Sequence, residues 1–93
     1  MLKMTDEAGG DEKLLAVPVG KIFAGYAHIE DVHQVSPHWL ERIGHFFEHY
    51  KDLEKGKWVR IDGWANADAA REEILASQQR YEAAPTSEKP PVG

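Results

Sequence analysis

The stretch SPHWLERIGHFFEHYKDLEKGKW, residues 36–58, decides the fold of this chain. Its apolar residues Trp39, Leu40, Ile43, Phe46, Phe47, Tyr50 and Leu53 recur three and four apart, with charged and His residues between them, which is the spacing of one helix face. The pattern predicts a strong amphipathic helix. Ser36 is a good N-cap, Pro37 suits the first helical position, and Gly56 lies just beyond the last apolar position and can end the element. Lys57 to Asp62 alternates and is rich in β-formers, so the chain is expected to turn at Glu54 to Gly56 and return as a strand. Helix and strand together are expected to make the core.

Upstream, Met1 to Thr5 and Leu14 to Val17 read as two short strands, the second ending at Pro18. Between them Asp6-Glu7-Ala8-Gly9-Gly10-Asp11-Glu12 carries paired glycines that permit a tight reversal, so a hairpin with an acidic tip is expected. Pro18 to Val35 shows no sustained period and reads as a loop with one helical turn around Ile29 to Val32. Downstream, Asn66 is a plausible N-cap and Asp68 suits the positive end of a helix. Ala70, Ile74, Gln78 and Tyr81 then give a second helix, from about Ala67 to Glu82, with a thin apolar stripe that packs at the edge. Residues 84–93 have the composition of a disordered tail, and residues 1–83 are expected to form the folded part.

A chain of 93 residues has room for one small domain with a marginal core. Acidic residues outnumber basic ones 16 to 11, giving a formal net charge of -5, which argues against nucleic acid as a partner and is compatible with metal cations. With no cysteine, disulfides, thiolate metal sites and thiol catalysis are excluded. The longest apolar run, Leu14 to Val19, is too short to cross a bilayer and no signal-peptide pattern opens the chain, so no membrane partner and a cytoplasmic location are the default expectations.

Three constellations could carry chemistry. Asp6 and Asp11 flank the reversal, and two close carboxylates suit a hard cation such as Mg²⁺ completed by waters and phosphate; the plainer alternative is a solvated acidic turn. Lys51, Lys55, Lys57 and Arg60, with the Tyr50 hydroxyl and Lys13 nearby, suit phosphate, although Asp52 and Glu54 lie among them and a mixed-charge helix end is usually just solvated. His45-Phe46-Phe47-Glu48-His49 matches the H-x-x-E-H pattern of a zinc peptidase, but too little chain follows His49 to build such a cleft, so a polar-face or subunit-contact role is expected.

Two segments resemble a known family. Leu2-Lys3-Met4-Thr5-Asp6-Glu7-Ala8-Gly9-Gly10-Asp11, followed by Lys13 and Ala16-Val17-Pro18, looks like the second metal-binding segment of the soluble family I inorganic pyrophosphatases of bacterial type. HFFEHYKDLEKGKWV, residues 45–59, resembles that family's C-terminal signature, and the two lie in the right order at a matching separation. The resemblance implies Asp6 and Asp11 as metal ligands, with Asp6 catalytic, and Lys13, Tyr50 and Lys51 as contacts to pyrophosphate or product phosphate. It further implies Mg²⁺ as cofactor, hydrolysis of pyrophosphate by a metal-activated water, and an α+β fold: part of an OB-like barrel with two helices outside. Bacterial members commonly form hexamers. The match is to the C-terminal half only, because the D-x-D-P-x-x-D aspartates and further Lys, Arg and Tyr residues of the N-terminal half have no counterpart here. An in-frame N-terminal half upstream, weak stability, and either a complementing half or a partner-binding role for the fragment are the resulting expectations.

Overall fold

The alternation of Leu2-Lys3-Met4-Thr5-Asp6 makes β1 (Leu2–Asp6) a two-faced strand: Leu2, Met4 and Asp6 are buried while Lys3 is exposed. In the computed structural model, which describes residues 1–89, this strand is the middle of a three-stranded antiparallel sheet of order β2-β1-β3. Its neighbours are β2 (Gly9–Gly10) and β3 (Val59–Trp64). The sheet is open, and the architecture is α+β.

The reversal is tighter than the sequence suggests. Glu7 and Ala8 form the turn, Asp6 faces Gly9 and Thr5 faces Gly10. Gly9 has φ +114°, a backbone conformation that a side chain would strain. The same register continues past β2: the Asp11 N–H donates to the Met4 carbonyl at 2.9 Å, and Leu2 and Lys13 exchange bonds of 2.8 and 2.9 Å. The returning arm is therefore Gly9 to Lys13, and the expected strand at Leu14 to Val17 does not form. The ladder ends at the bridge between Leu2 and Lys13, and Leu14 to Val17 runs on without a strand partner.

β3 begins two residues later than expected and carries a bulge. Met4 pairs with Ile61 and Lys3 with Gly63, leaving Asp62 as the extra residue. Ile61 and Trp64 are an odd number of positions apart and would otherwise point to opposite faces; the bulge, with Gly63 at φ +117°, lets both lie on the half-buried side.

Helix α1 (Pro37–His49) has Pro37 in its first turn as expected, but the Ser36 hydroxyl makes no capping bond. The helix ends at the Tyr50 C-cap, earlier than the apolar spacing implies. Leu53 lies in the following turn and is wholly exposed. Gly56, φ +77°, reverses the chain toward β3. α1 packs on β3, with Leu40, Ile43 and Phe47 half-buried and Gly44 buried. The expected helix-strand core is corrected by the burial: among the described residues the only buried hydrophobic side chains are Leu2 and Met4, both on β1. β3 is the strand that covers α1, and Trp39 and Phe46 remain more than half exposed.

The 18–35 segment holds two 3₁₀ turns, Ala24–Tyr26 and Val32–Gln34, rather than one turn at Ile29 to Val32. The second is fixed by a capping box between Asp31 and Gln34, and Asp31 Oδ1 also accepts the Ala67 N–H at 2.8 Å. That bond ties the segment to α2 (Ala67–Ala83), whose Asn66 cap accepts from the Ala69 N–H at 2.9 Å. α2 buries no residue. Of the expected tail, Thr86–Glu88 form a 3₁₀ turn and Lys89 lies over the Tyr81 ring, while residues 90–93 lie outside the described residues. No described helix is long and apolar enough to cross a membrane.

Candidate functional site

The tight turn and the strand parity together aim Asp6 at one place. Asp6 Oδ1 accepts the Ala8 N–H at 2.8 Å, an Asx-type bond that fixes the carboxylate, and Asp6 Oδ2 faces the Lys51 ammonium at 3.2 Å. Asp6 is 8% exposed, unusually deep for a carboxylate in a chain this small. The Ala8 N–H, and after it the Lys51 ammonium, hold the Asp6 carboxyl below the usual carboxylate range against the opposing effect of burial. Asp6 in turn raises the Lys51 ammonium. Lys51 lies also 3.8 Å from Glu7.

Asp11 reaches the same face by register. It sits opposite Met4, so it is the diagonal neighbour of Asp6 across the hairpin. Its Oδ1 pairs with Lys13 Nζ at 3.1 Å. Lys13, opposite Leu2, lies on that face too, with its ammonium 5.7 Å from the centre of the Phe47 ring. Lys51 is 5.5 Å from the Tyr50 ring, and Tyr50 packs against Phe46 and Phe47 with centroids 5.6 Å apart in each case. Thus Asp6, Asp11, Lys13, Tyr50 and Lys51 all gather where the hairpin meets the end of α1. Phe47 joins them as the aromatic floor of Lys13, a role hidden in sequence because its spacing marks it as core.

The rest of the cationic group does not assemble. Lys57 pairs with Glu54 at 3.7 Å, Lys55 is exposed, and Arg60 bonds Asp62 and Thr5 on the opposite face of the sheet. Parity explains the last: Arg60 is one residue out of step with Val59 and Ile61. The His45 and His49 rings lie 4.5 Å apart between centroids, tilted by 47°, and His49 Nδ1 meets Asp52 Oδ2 at 2.8 Å. No group of three or more metal-ligating side chains forms among the described residues, there or elsewhere.

For a hard cation, the donor set at the hairpin is chemically apt and numerically short. Two carboxylates supply oxygen ligands, and Mg²⁺ commonly takes one or two from protein, with water and phosphate oxygens filling an octahedron. Both carboxylates here are engaged by ammonium groups.

Comparison with known proteins points to one family. The family described as inorganic pyrophosphatase matches residues 1–82. The inorganic pyrophosphatase of Xylella fastidiosa (strain 9a5c) is 73% identical over 81 residues, covering 87% of this chain and 46% of that protein. That of Escherichia coli (strain K12) is 59% identical over 80 residues, covering 86% and 46%. Among solved structures, an inorganic pyrophosphatase from Coxiella burnetii superposes with TM-score 0.80 at 48% identity, over 85% of this chain and 47% of that one. One from Helicobacter pylori gives 0.82 at 41% identity, over 88% and 48%. The chain spans about half the length of the relatives it matches. With most of its residues matched, and with the carboxylates and lysines of the resemblance on one face, the chain belongs to the inorganic pyrophosphatase family.

Proposed function

We propose that the chain is the C-terminal half of a cytoplasmic, Mg²⁺-dependent inorganic pyrophosphatase, contributing Asp6 and Asp11 as metal ligands and Lys13, Tyr50 and Lys51 as phosphate contacts. The observation that carries this reading is the oriented Asp6 carboxylate, fixed by the Ala8 N–H and flanked by Asp11 and two lysines. Asp6 and Asp11 would hold the cation. The two ammonium groups would neutralise phosphoryl oxygens, and the Tyr50 hydroxyl would donate one further bond. Bound Mg²⁺ supplies an activated water and polarised phosphoryl oxygens. Two carboxylates leave the ligand sphere incomplete, so the remaining carboxylates must come from another segment or chain. On this reading the open sheet is one part of an OB-like barrel, and the working protein is an oligomer or a pair of complementing halves.

A second reading has its own support. A groove of about 750 Å³ between the 15–35 segment and α1 is walled by Leu15, Phe23, Tyr26, Trp39 and Ile43, and Phe23 and Trp39 are more than half exposed. Apolar surface of that kind marks a face that another chain covers, so the fragment can serve as a non-catalytic interaction or oligomerisation segment. Phosphate release from pyrophosphate with Mg²⁺, by the purified chain and by Asp6→Ala, separates the two. Activity lost on that substitution supports the enzyme. Absence of activity with the chain alone and on mixing with a family N-terminal half favours the interaction segment.

A further inference from the structure

Asp62-Gly63 is the only place in the sequence where Asp or Asn precedes Gly. A glycine has no side chain to shield its amide nitrogen, so that nitrogen can attack the carboxyl carbon of the aspartate before it. The pair also sits where the sheet is least regular. Asp62 is the extra residue of the β3 bulge, Gly63 has φ +117°, and a Cβ built on Gly63 meets nothing within 4 Å. Two donors from the exposed face of the sheet restrain the carboxylate. Thr5 Oγ1 donates to Asp62 Oδ2 at 2.7 Å and Arg60 Nε to Asp62 Oδ1 at 2.7 Å, while Arg60 Nη2 reaches Thr5 Oγ1 at 3.3 Å and closes the triangle. Both oxygens are thus occupied although the side chain is 30% exposed. The bonds favour the ionised form, the Thr5 hydroxyl first and Arg60 second. Ring closure needs the neutral carboxyl, because one oxygen must leave as water.

We propose that Asp62-Gly63 is a latent isoaspartate site, where the chain modifies its own backbone, and that Thr5 and Arg60 keep it closed in the folded sheet. In the reaction the Gly63 nitrogen bonds to Asp62 Cγ, and one carboxyl oxygen departs as water with the carboxyl proton and the amide proton. The product is a cyclic imide, a succinimide. Water then opens the ring at either carbonyl: addition at Cγ restores aspartate, and addition at the main-chain carbonyl carbon leaves Gly63 joined through the Asp62 side chain. No oxidant or second substrate enters, and the final mass equals that of the starting chain. The isoaspartyl form carries one more carbon in its main chain, so Gly63, Trp64 and Ala65 lose their places opposite Lys3, Leu2 and Met1. Leu2 is one of the two buried hydrophobic side chains, so the modification weakens the core.

The test is ageing of the full chain at neutral pH, in buffer and in denaturing guanidinium chloride. Isoaspartate is counted with an isoaspartyl-specific carboxyl methyltransferase and radiolabelled S-adenosylmethionine, and located by peptide mass spectrometry. The unaltered chain is compared with Thr5→Val, Arg60→Met and Asp62→Glu, and Trp fluorescence checks that each is folded in buffer. In buffer, Thr5→Val and Arg60→Met should form isoaspartate at Asp62 faster than the unaltered chain by on the order of tenfold, the factor set by loss of one hydrogen bond to a charged group. In denaturant the three should age at one rate, faster than the folded unaltered chain. Asp62→Glu should give no signal at this position, because its longer side chain disfavours ring closure. Arg60 is 65% exposed, so Arg60→Met keeps the test readable where Thr5→Val unfolds. A folded Arg60→Met that ages no faster than the unaltered chain, or an unaltered chain that ages as fast in buffer as in denaturant, overturns the guard. Absence of isoaspartate at Asp62 in the denatured chain overturns the site itself.

Discussion

Met4→Ala tests where the stability of this chain resides. Met4 is 1% exposed on the central strand, between β2 and β3, and borders none of the larger grooves. Truncating a buried Met costs about 2 to 5 kcal/mol, with the larger values where the hole cannot collapse or fill. A middle strand held on both sides has little freedom to close the gap, so a loss of about 3 kcal/mol is expected. Leu2→Ala should cost less, about 2 kcal/mol, because Leu2 already lines an open groove with Leu15, Ile43, Phe47 and Trp64, and water can enter the enlarged space. Leu53→Ala, at a wholly exposed position, should fall within about 0.5 kcal/mol of zero. A chain of this length has a total stability of roughly 5 kcal/mol at the low end of the usual range, so Met4→Ala should remove more than half of it. Urea unfolding followed by Trp fluorescence reads all three, and a thermal scan should place Met4→Ala about 10 to 25 °C lower. Equal losses for Met4→Ala and Leu53→Ala would refute the assignment of the core to β1.

Two further outcomes follow from single interactions. The folded-state pKa of Asp6 lies below its unfolded value, chiefly through the Ala8 N–H and then Lys51, so its stabilising contribution is complete above the unfolded pKa near 4 and is lost as pH falls through the lower folded value. Asp31 and Asp62 shift the same way, Asp31 through the Val32 N–H first and Asp62 through the Thr5 hydroxyl first. Urea midpoints measured from pH 6 down to 2 should therefore drop mainly below about pH 4, and less steeply in Asp6→Asn. Gly44→Ala is expected to raise stability by about 1 kcal/mol, because Gly44 is inside α1 and a Cβ placed there meets nothing within 4 Å. A lower urea midpoint in that variant would mean that α1 seats on the sheet more tightly than this geometry allows.

Helix α1 is legible in sequence because Trp39, Leu40, Ile43, Phe46 and Phe47 keep one spacing and Pro37 marks the start. Its end is not, because Leu53 continues that spacing while the chain has already turned. Lys51 is drawn to Asp6, 45 residues away, and a pair so distant leaves no trace in local periodicity. The same limit applies to Leu14 to Val17: its composition suits a strand, but a strand needs a neighbour, and the hairpin ladder ends at the bridge between Leu2 and Lys13. The carboxylates were easier. Asp6 and Asp11 flank a glycine reversal, and the turn that joins them is local. Arg60 shows the opposite case, for its sequence neighbourhood suggests Lys51 as company and one step of strand parity sends it to the other face.

The gathered carboxylates and lysines and the uncovered apolar surface of this chain belong to different parts of it, which bears on what a half-length family member can retain. Asp6, the Ala8 N–H that fixes it, Asp11 and Lys13 all belong to one hairpin, and among the five residues of the site only Tyr50 and Lys51 come from elsewhere. A hairpin of this kind orders its own side chains through the turn and the register, with little help from distant packing. The apolar surface is in the reverse position. Phe23 and Trp39 face a groove that no described residue fills, and Trp39 and Phe46 on α1 are more than half exposed. Carboxylates and lysines can thus be gathered at one place in a chain whose hydrophobic surface remains unsatisfied. Covering that surface should then act on the site mainly through stability, by raising the folded fraction, rather than by moving Asp6, Asp11 or Lys13 relative to one another.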